Sequence, residues 1–435
     1  MNGRIWRDLV REYTAQTGAS AQLYSELGQH LPGGQTRSVA HYEPHPVVLT
    51  DGSGALVHDL DGNEYIDVLN NYTSLVHGHA FAPVLSAVAA TLPGGTVFPA
   101  PHPAQLRLAA MLTERYPAIE RVRFTNSGTE AALLALRIAR AATGRQRIVK
   151  FGGGYHGSVP ELIDSGPCTI EVPYNDAERA VAAIDSSVAA VFAEPFLGSG
   201  GVITGTPEFL RAIEDRASAT GCLFVLDEVQ SLRNAVHGVH GALGLDPDLV
   251  LLGKIIGGGF PVGAVGGRAT LLDLTIAGRP GSLPASGTFN GNVITMTAGA
   301  VSLSALDETS IARLTAGAQQ VASEIESAAA RADVPCAVSR AGSILQVHML
   351  SELPDDPAAV DVPPILVSAL HLALLLEGIY AAPRGMLNLS TALDDGQLER
   401  LTAGYASAFA RVRDLVGTAS DVSTTARPVT AGAGQ

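Results

Sequence analysis

The chain has 435 residues, 46% hydrophobic and 16% charged, with 47 glycines, a size and balance that fit one large α/β domain with additions or two domains. A formal net charge of −14 with no basic run excludes the electrostatic footprint of a nucleic-acid binder, and no window approaches the roughly 18 apolar residues of a membrane span. Three cysteines, Cys168, Cys222 and Cys336, are an odd number at unrelated spacings with no CxxC pair, so neither a disulfide framework nor a zinc site is implied, and a reducing cytoplasm fits.

The N-terminal "MNGRIWRDLVREYTAQ" alternates charged and apolar residues like an amphipathic helix and lacks the apolar core of a signal peptide. A Gly/Pro loop, "LPGGQTR", follows. The stretches "PVVLT" and "ALVHDLDGNEYIDV" then predict a hairpin turning at Asp61-Gly62, outside the main sheet. From about residue 70 helices alternate with short apolar runs: "RIVKF" (147–151), "AAVFAE" (189–194), "CLFVLDE" (222–228) and "LVLLG" (249–253). Continuous hydrophobicity with helix-length spacers predicts strands buried on both faces of a mostly parallel sheet flanked by helices.

Around residue 300 the alternation gives way to a long helix, "IARLTAGAQQVASEIESAAARA", strand candidates "SILQVHM" and "GIYAAP", and a last helix near 396–416. The chain therefore divides into an N-terminal segment (1–65), a large domain (66–305), a smaller α+β domain (306–418) and a tail (419–435) of small polar residues expected to be disordered.

Three of the apolar runs end on or just before a charged residue: Glu194, Asp227 and Lys254. Ligands of open parallel sheets bind beyond the carboxyl ends of the strands, so the three predict one crevice, although each alone reads equally as a strand-terminal charge facing water. Ser127, Gly128 and Thr129 precede a helical pattern with Leu134, Ile138 and Ala141 on one face. Free N–H groups at that helix start form an anion site, or the serine is an ordinary N-cap. In "SGTFNGN", Thr288 lies between Gly287 and Gly291, another candidate oxyanion loop; in "GGGYHG", Tyr155 is either a ring that stacks on a planar ligand or a core tyrosine at a turn. Of the 28 Lys and Arg residues only Lys150 and Lys254 are lysine. Arginine replaces lysine wherever charge alone is wanted, but only a primary amine condenses with an aldehyde. The histidines His77, His79, His156, His237 and His240 match no zinc-ligand spacing, so no metal is expected.

In order along the chain, "NSGTEA", "GGYHG", "LDEVQ", "LGKIIGGGFPVGA" and "GTFNGN" resemble the class III aminotransferases of the fold type I pyridoxal-phosphate enzymes, over residues 30 to 415. Within that family the chain is similar to the branch of glutamate-1-semialdehyde aminomutases and β-amino-acid (β-phenylalanine) aminotransferases, the latter through "LPGGQTRSVAHYEPHP" and "PRGMLNLSTAL". The resemblance implies that Lys254 forms the Schiff base with pyridoxal 5'-phosphate and that Asp227 keeps the pyridine nitrogen protonated. It further implies that Val229 and Tyr155 cover the two ring faces, that Gln230 approaches the phenolic oxygen and that Ser127, Gly128 and Thr129 hold the phosphate. Glu194 is expected to orient Gln230 or a substrate amine. Thr288 is expected to reach the phosphate of a neighbouring subunit, which implies a homodimer with shared active sites.

Arg37 and Arg384 match the family's carboxylate-binding arginines, a role suited to the planar guanidinium fork, or are surface residues. The reaction implied is amino transfer between a β-amino acid, or a related amino-bearing biosynthetic intermediate, and a 2-oxo acid. A 2,1-aminomutase and a non-catalytic cofactor-binding homologue are the alternatives. Glutamine after the valine of "DEVQ" and the stretch "NNYTSLVHGHA" depart from the β-phenylalanine pattern, so the side-chain preference stays open between aromatic and aliphatic.

Overall fold

The four continuously apolar runs lie side by side at the centre of a seven-stranded sheet in the computed structural model, which describes residues 2–353, 360 and 362–419. Across the sheet the order is Arg121–Thr125, Gly263–Gly267, Leu249–Gly253, Leu223–Asp227, Val188–Ala193, Arg147–Phe151 and Thr169–Val172. Every residue of Val188–Ala193 and of Leu249–Gly253 is buried, as strands covered by helices on both faces require. Gly263–Gly267 alone runs antiparallel to its neighbours; the other six strands share one direction.

That antiparallel strand, "GAVGG", lacks the bulk by which a strand is recognised, and its glycines have a steric cause. A Cβ on Gly263 would lie 1.9 Å from the Ser127 carbonyl oxygen, and one on Gly266 would lie 2.9 Å from Ile119 side-chain atoms. The sheet here approaches the start of the helix Gly128–Thr143 too closely for any side chain.

Ser127 caps that helix: its Oγ accepts the Glu130 N–H (3.1 Å), while Glu130 Oε2 accepts the Asn126 N–H (2.8 Å). The reciprocal pair is a capping box displaced by one residue. Ala131, Leu134, Ala135, Ile138 and Ala139 form its buried face. Ala141, expected on that face, is exposed, because the buried stripe ends a turn before the left-handed C-cap at Gly144.

The predicted hairpin is a three-stranded meander, Leu49–Ser53, Leu56–Asp59 and Glu64–Asp67, outside the large sheet. Its last strand pairs in parallel with Ile379–Tyr380, joining the two ends of the chain. Ala337–Ala341, Ile344–His348 and Met386–Asn388 form a further antiparallel sheet. The helix Asn2–Gln16 buries Leu9 and Tyr13 in the core shared with the helices Pro364–Leu376 and Asp395–Ala419. The tail expected to be disordered lies, from residue 420 on, outside the described residues. No helix among the described residues is long and apolar enough to cross a membrane.

Candidate active site

Because the parallel strands share a direction, the residues after Thr125, Phe151, Ala193, Asp227 and Gly253 emerge at one edge of the sheet. There Asp227 meets a partner that sequence reasoning did not assign: His156 Nδ1 lies 2.9 Å from Asp227 Oδ2. Asp227 Oδ1 accepts the Val229 N–H at 3.0 Å. Both side chains are buried. Burial alone would lower the His156 pKa, but the hydrogen bond and charge of Asp227, with Glu194 behind it, raise it overall. The "GGYHG" motif held the signal, since the histidine beside the predicted ring is as well placed as the ring itself.

Glu194 is buried, and its oxygens are taken by backbone: Oε2 accepts the Tyr155 N–H (2.9 Å) and Oε1 the Gly198 N–H (3.1 Å). Burial, reinforced by the charge of Asp227, pushes its carboxyl up to about 7 against the pull of His156 and the two N–H groups. Of the two roles expected for Glu194, orienting Gln230 or a substrate amine, the first has no direct hydrogen bond behind it. Gly198 stands between Glu194 and Gln230, packed so closely that a Cβ on it would come within 2.2 Å of Gln230 Oε1.

Lys254 is partly buried and sits at φ +49°, and its side chain makes no hydrogen bond or ion pair among the described residues. A non-glycine residue held in the left-handed region is a local strain of the kind that accumulates at functional sites. Desolvation lowers its pKa, the charges of Asp227 and Glu194 oppose that shift, and Arg384 adds to it. Lys254, Asp227, Glu194 and Arg384 thus share one electrostatic neighbourhood. Lys150 differs: its ammonium is buried, donates to the Ile163 carbonyl (2.7 Å) and pairs with Glu171 (3.0 Å).

The predicted phosphate loop is open. Ser127 Oγ serves the helix, but the N–H groups of Gly128 and Thr129 have no partner among the described residues. Thr129 Oγ1 accepts the Ser158 N–H (3.2 Å). Val229 rests its methyls against Gly128 and Gly253, where added Cβ atoms would meet them at 3.4 and 3.2 Å. Tyr155 leaves half its side chain exposed. Thr288 is exposed and has no hydrogen-bond partner among the described residues, on a loop tied to the helix start by Asn126 Nδ2 donating to Asn290 Oδ1 (2.7 Å).

Arg37 and Arg384, 347 residues apart in "GGQTRS" and "APRGML", converge on one ring: their guanidinium carbons lie 5.8 and 5.9 Å from the Tyr72 centroid. Neither meets a carboxylate among the described residues. Arg37 Nη1 donates to Asn71 Oδ1 (2.6 Å), Arg384 Nη2 donates to the Gly198 carbonyl (3.1 Å), and Arg384 Nε is buried without a partner. Asn71 and Tyr72 escaped sequence reasoning except as part of a stretch that departs from the family pattern.

No group of three or more His, Cys, Asp or Glu residues among those described is placed to hold a metal. The surroundings instead suit a planar phosphate ester. Two free N–H groups at a helix start offer an anion site, Gln230 Oε1 is a buried polar atom lacking a partner, and an unpaired lysine amine feels the charges of Asp227 and Glu194.

The comparisons agree with this chemistry. The family model described as aminotransferase class-III matches residues 38–167 and 167–392. A beta-phenylalanine transaminase of Variovorax paradoxus is 38% identical over 413 residues, covering 92% of this chain and 94% of that protein. A glutamate-1-semialdehyde 2,1-aminomutase of Geobacillus kaustophilus is 35% identical, covering 91% and 98%. The solved structure of a beta-phenylalanine aminotransferase from Variovorax paradoxus matches with a TM-score of 0.90 at 35% identity over 97% of this chain and 99% of its own. A solved transaminase with PLP bound matches with a TM-score of 0.86 at 31% identity over 92% and 99%. The chain belongs to the class III aminotransferases and is a pyridoxal-phosphate-dependent transaminase of fold type I.

Proposed function

We propose that the enzyme transfers an amino group between a β-amino acid, or a related amino-bearing intermediate, and a 2-oxo acid. Two arginines without acid partners among the described residues, gathered at Tyr72 and with the charge of Arg384 acting on Lys254, carry this reading. A carboxylate set off from the reacting amine would find there a guanidinium not already neutralised.

Bound in the site, pyridoxal phosphate supplies an aldehyde for amines and a ring that draws electrons from the amine-bearing carbon. Gly128 and Thr129 N–H groups, with the Ser127 and Thr129 hydroxyls, hold the phosphate at the positive end of the helix. Asp227 holds a proton at the ring nitrogen, and His156 fixes that carboxylate. Val229 and Tyr155 cover the ring faces, and the Gln230 amide takes the phenolic oxygen. Lys254 Nζ would be the amine that holds the aldehyde at rest and, once the substrate amine has taken its place there and freed it, would take the proton from the substrate carbon; the lowered pKa leaves more of the freed amine in the basic form this requires.

Thr288 completes the phosphate site of a second copy, so the active form is a homodimer with shared sites. Exposed Phe289 (58%) and Leu106 (73%), apolar side chains in need of cover, support this. The three free cysteines support a cytoplasmic location. The meander paired with Ile379–Tyr380 and the antiparallel sheet of Ala337–Ala341, Ile344–His348 and Met386–Asn388 support a smaller domain built from the N- and C-terminal segments beside the large one.

The 35% identical aminomutase keeps isomerisation as the second reading. Incubation with β-amino acids and 2-oxoglutarate separates the two. A transaminase produces glutamate in proportion to the oxo acid supplied; an isomer formed without oxo acid overturns the transaminase assignment in favour of the mutase.

A further inference from the structure

Residues Asn70 to Thr73 form a turn of left-handed helix, with φ of +48°, +49°, +55° and +74° at four successive positions, none of them glycine. L-residues enter this region only at a cost, and asparagine tolerates it better than most. The surroundings enforce the turn. Asp67 Oδ1 accepts the N–H groups of Leu69 (2.7 Å) and Asn70 (2.8 Å), while His79 Nε2 lies 2.6 Å from its other oxygen. Asn70 Nδ2 donates to the Asn388 carbonyl (2.9 Å), and the fully buried Arg233 donates to the Thr73 carbonyl (3.3 Å).

This construction delivers Asn71 and Tyr72 to the arginines. The Asn71 amide has one allowed orientation: Nδ2 donates to Ser74 Oγ (3.0 Å), which turns Oδ1 to the guanidinium of Arg37, a group that only donates. Among the described residues, what holds Arg37 is therefore uncharged, an amide oxygen on one side and a ring face on the other. An aspartate would tolerate the same backbone and hold the guanidinium more tightly, but it would also neutralise it.

We infer that Asn71 is a positioning residue that seats Arg37 through a neutral acceptor, keeping its charge available to a substrate carboxylate, with the left-handed turn as its scaffold. The inference rests on the proposed role of Arg37 in carboxylate binding.

Glutarate, a dicarboxylate without an amine, is the probe; its affinity for the holoenzyme is measured by calorimetry alongside KM and kcat for a β-amino acid. Asn71→Asp should weaken glutarate about tenfold, the worth of one charge-assisted hydrogen bond, and raise KM with kcat nearly unchanged. Arg37→Met should weaken it at least as much, and adding Asn71→Asp to Arg37→Met should cost nothing further. Unchanged glutarate affinity in Asn71→Asp, or an equal loss in the Arg37→Met background, overturns the inference while leaving Arg37 as the carboxylate ligand. No loss in Arg37→Met removes both. Should Asn71→Asp fail to fold, Asn71→Gly keeps the backbone and removes the amide: weaker glutarate binding at wild-type cofactor absorbance supports the inference, and wild-type affinity overturns it.

Discussion

Replacing Gly263 by alanine tests how far the sheet sets the phosphate site. Its φ is not positive, so the backbone accepts alanine and only space resists it. The new Cβ would lie 1.9 Å from the Ser127 carbonyl oxygen and 2.4 Å from its carbonyl carbon, whereas ordinary contact begins at 3.4 Å. Relief demands a displacement of about 1.5 Å, and the obstacle is backbone at the helix N-cap, not a side chain that can rotate. Overpacking of this kind costs about 1–3 kcal/mol of stability. If the shift disrupts one of the two N–H contacts to phosphate, it also removes about 1.5 kcal/mol of binding, roughly tenfold in cofactor affinity. Gly266→Ala is the matched control, because its Cβ would press on the Ile119 side chain at 2.9 Å, away from the helix start. Titrating pyridoxal phosphate into apoenzyme and following thermal unfolding of both variants reads the two effects separately. We expect both to lose stability and only Gly263→Ala to lose affinity; equal affinity loss in both, or none in Gly263→Ala, refutes the argument.

The two lysines give an opposed pair. Lys254→Ala should abolish cofactor fixation by borohydride, while Lys150→Met should retain it and lose about 1–3 kcal/mol in a denaturant titration, since it strands Glu171, which is partly solvated, and two carbonyls. Fixation surviving in Lys254→Ala refutes the first assignment. Glu194 predicts a pH effect. Its pKa rises from 4.5 to about 7 on folding, so its contribution to stability is fully present below pH 4.5 and is lost as pH rises through about 7. Glu194→Gln should therefore flatten the stability profile of the apoenzyme between those limits; identical profiles would show that the group does not titrate in that range.

Legibility from sequence followed the range of the interaction. The helix Gly128–Thr143 and the four central strands were visible because capping and continuous hydrophobicity are local signals. The Gly263–Gly267 strand was not, since Gly263 answers to Ser127 and Gly266 to Ile119, each more than 130 residues earlier. Nor was the pairing of Ile379–Tyr380 with Glu64–Asp67, because strand partners carry no mark of each other in the chain. The bonds of Glu194 to the Tyr155 and Gly198 N–H groups were not legible either, because the loops that bring those N–H groups to the carboxylate exist only in the fold.

By itself the sequence determined the chemical types available: one lysine in a glycine-rich setting after a buried strand, an aspartate ending another, and a capped helix start with free N–H groups. Tertiary structure alone decided that His156 holds Asp227 across 71 residues, and that Arg37 and Arg384 meet over Tyr72 on a left-handed turn. The physical reason is that a residue's reactivity belongs to its own functional group, whereas field, burial and hydrogen-bond partner come from segments the fold brings beside it.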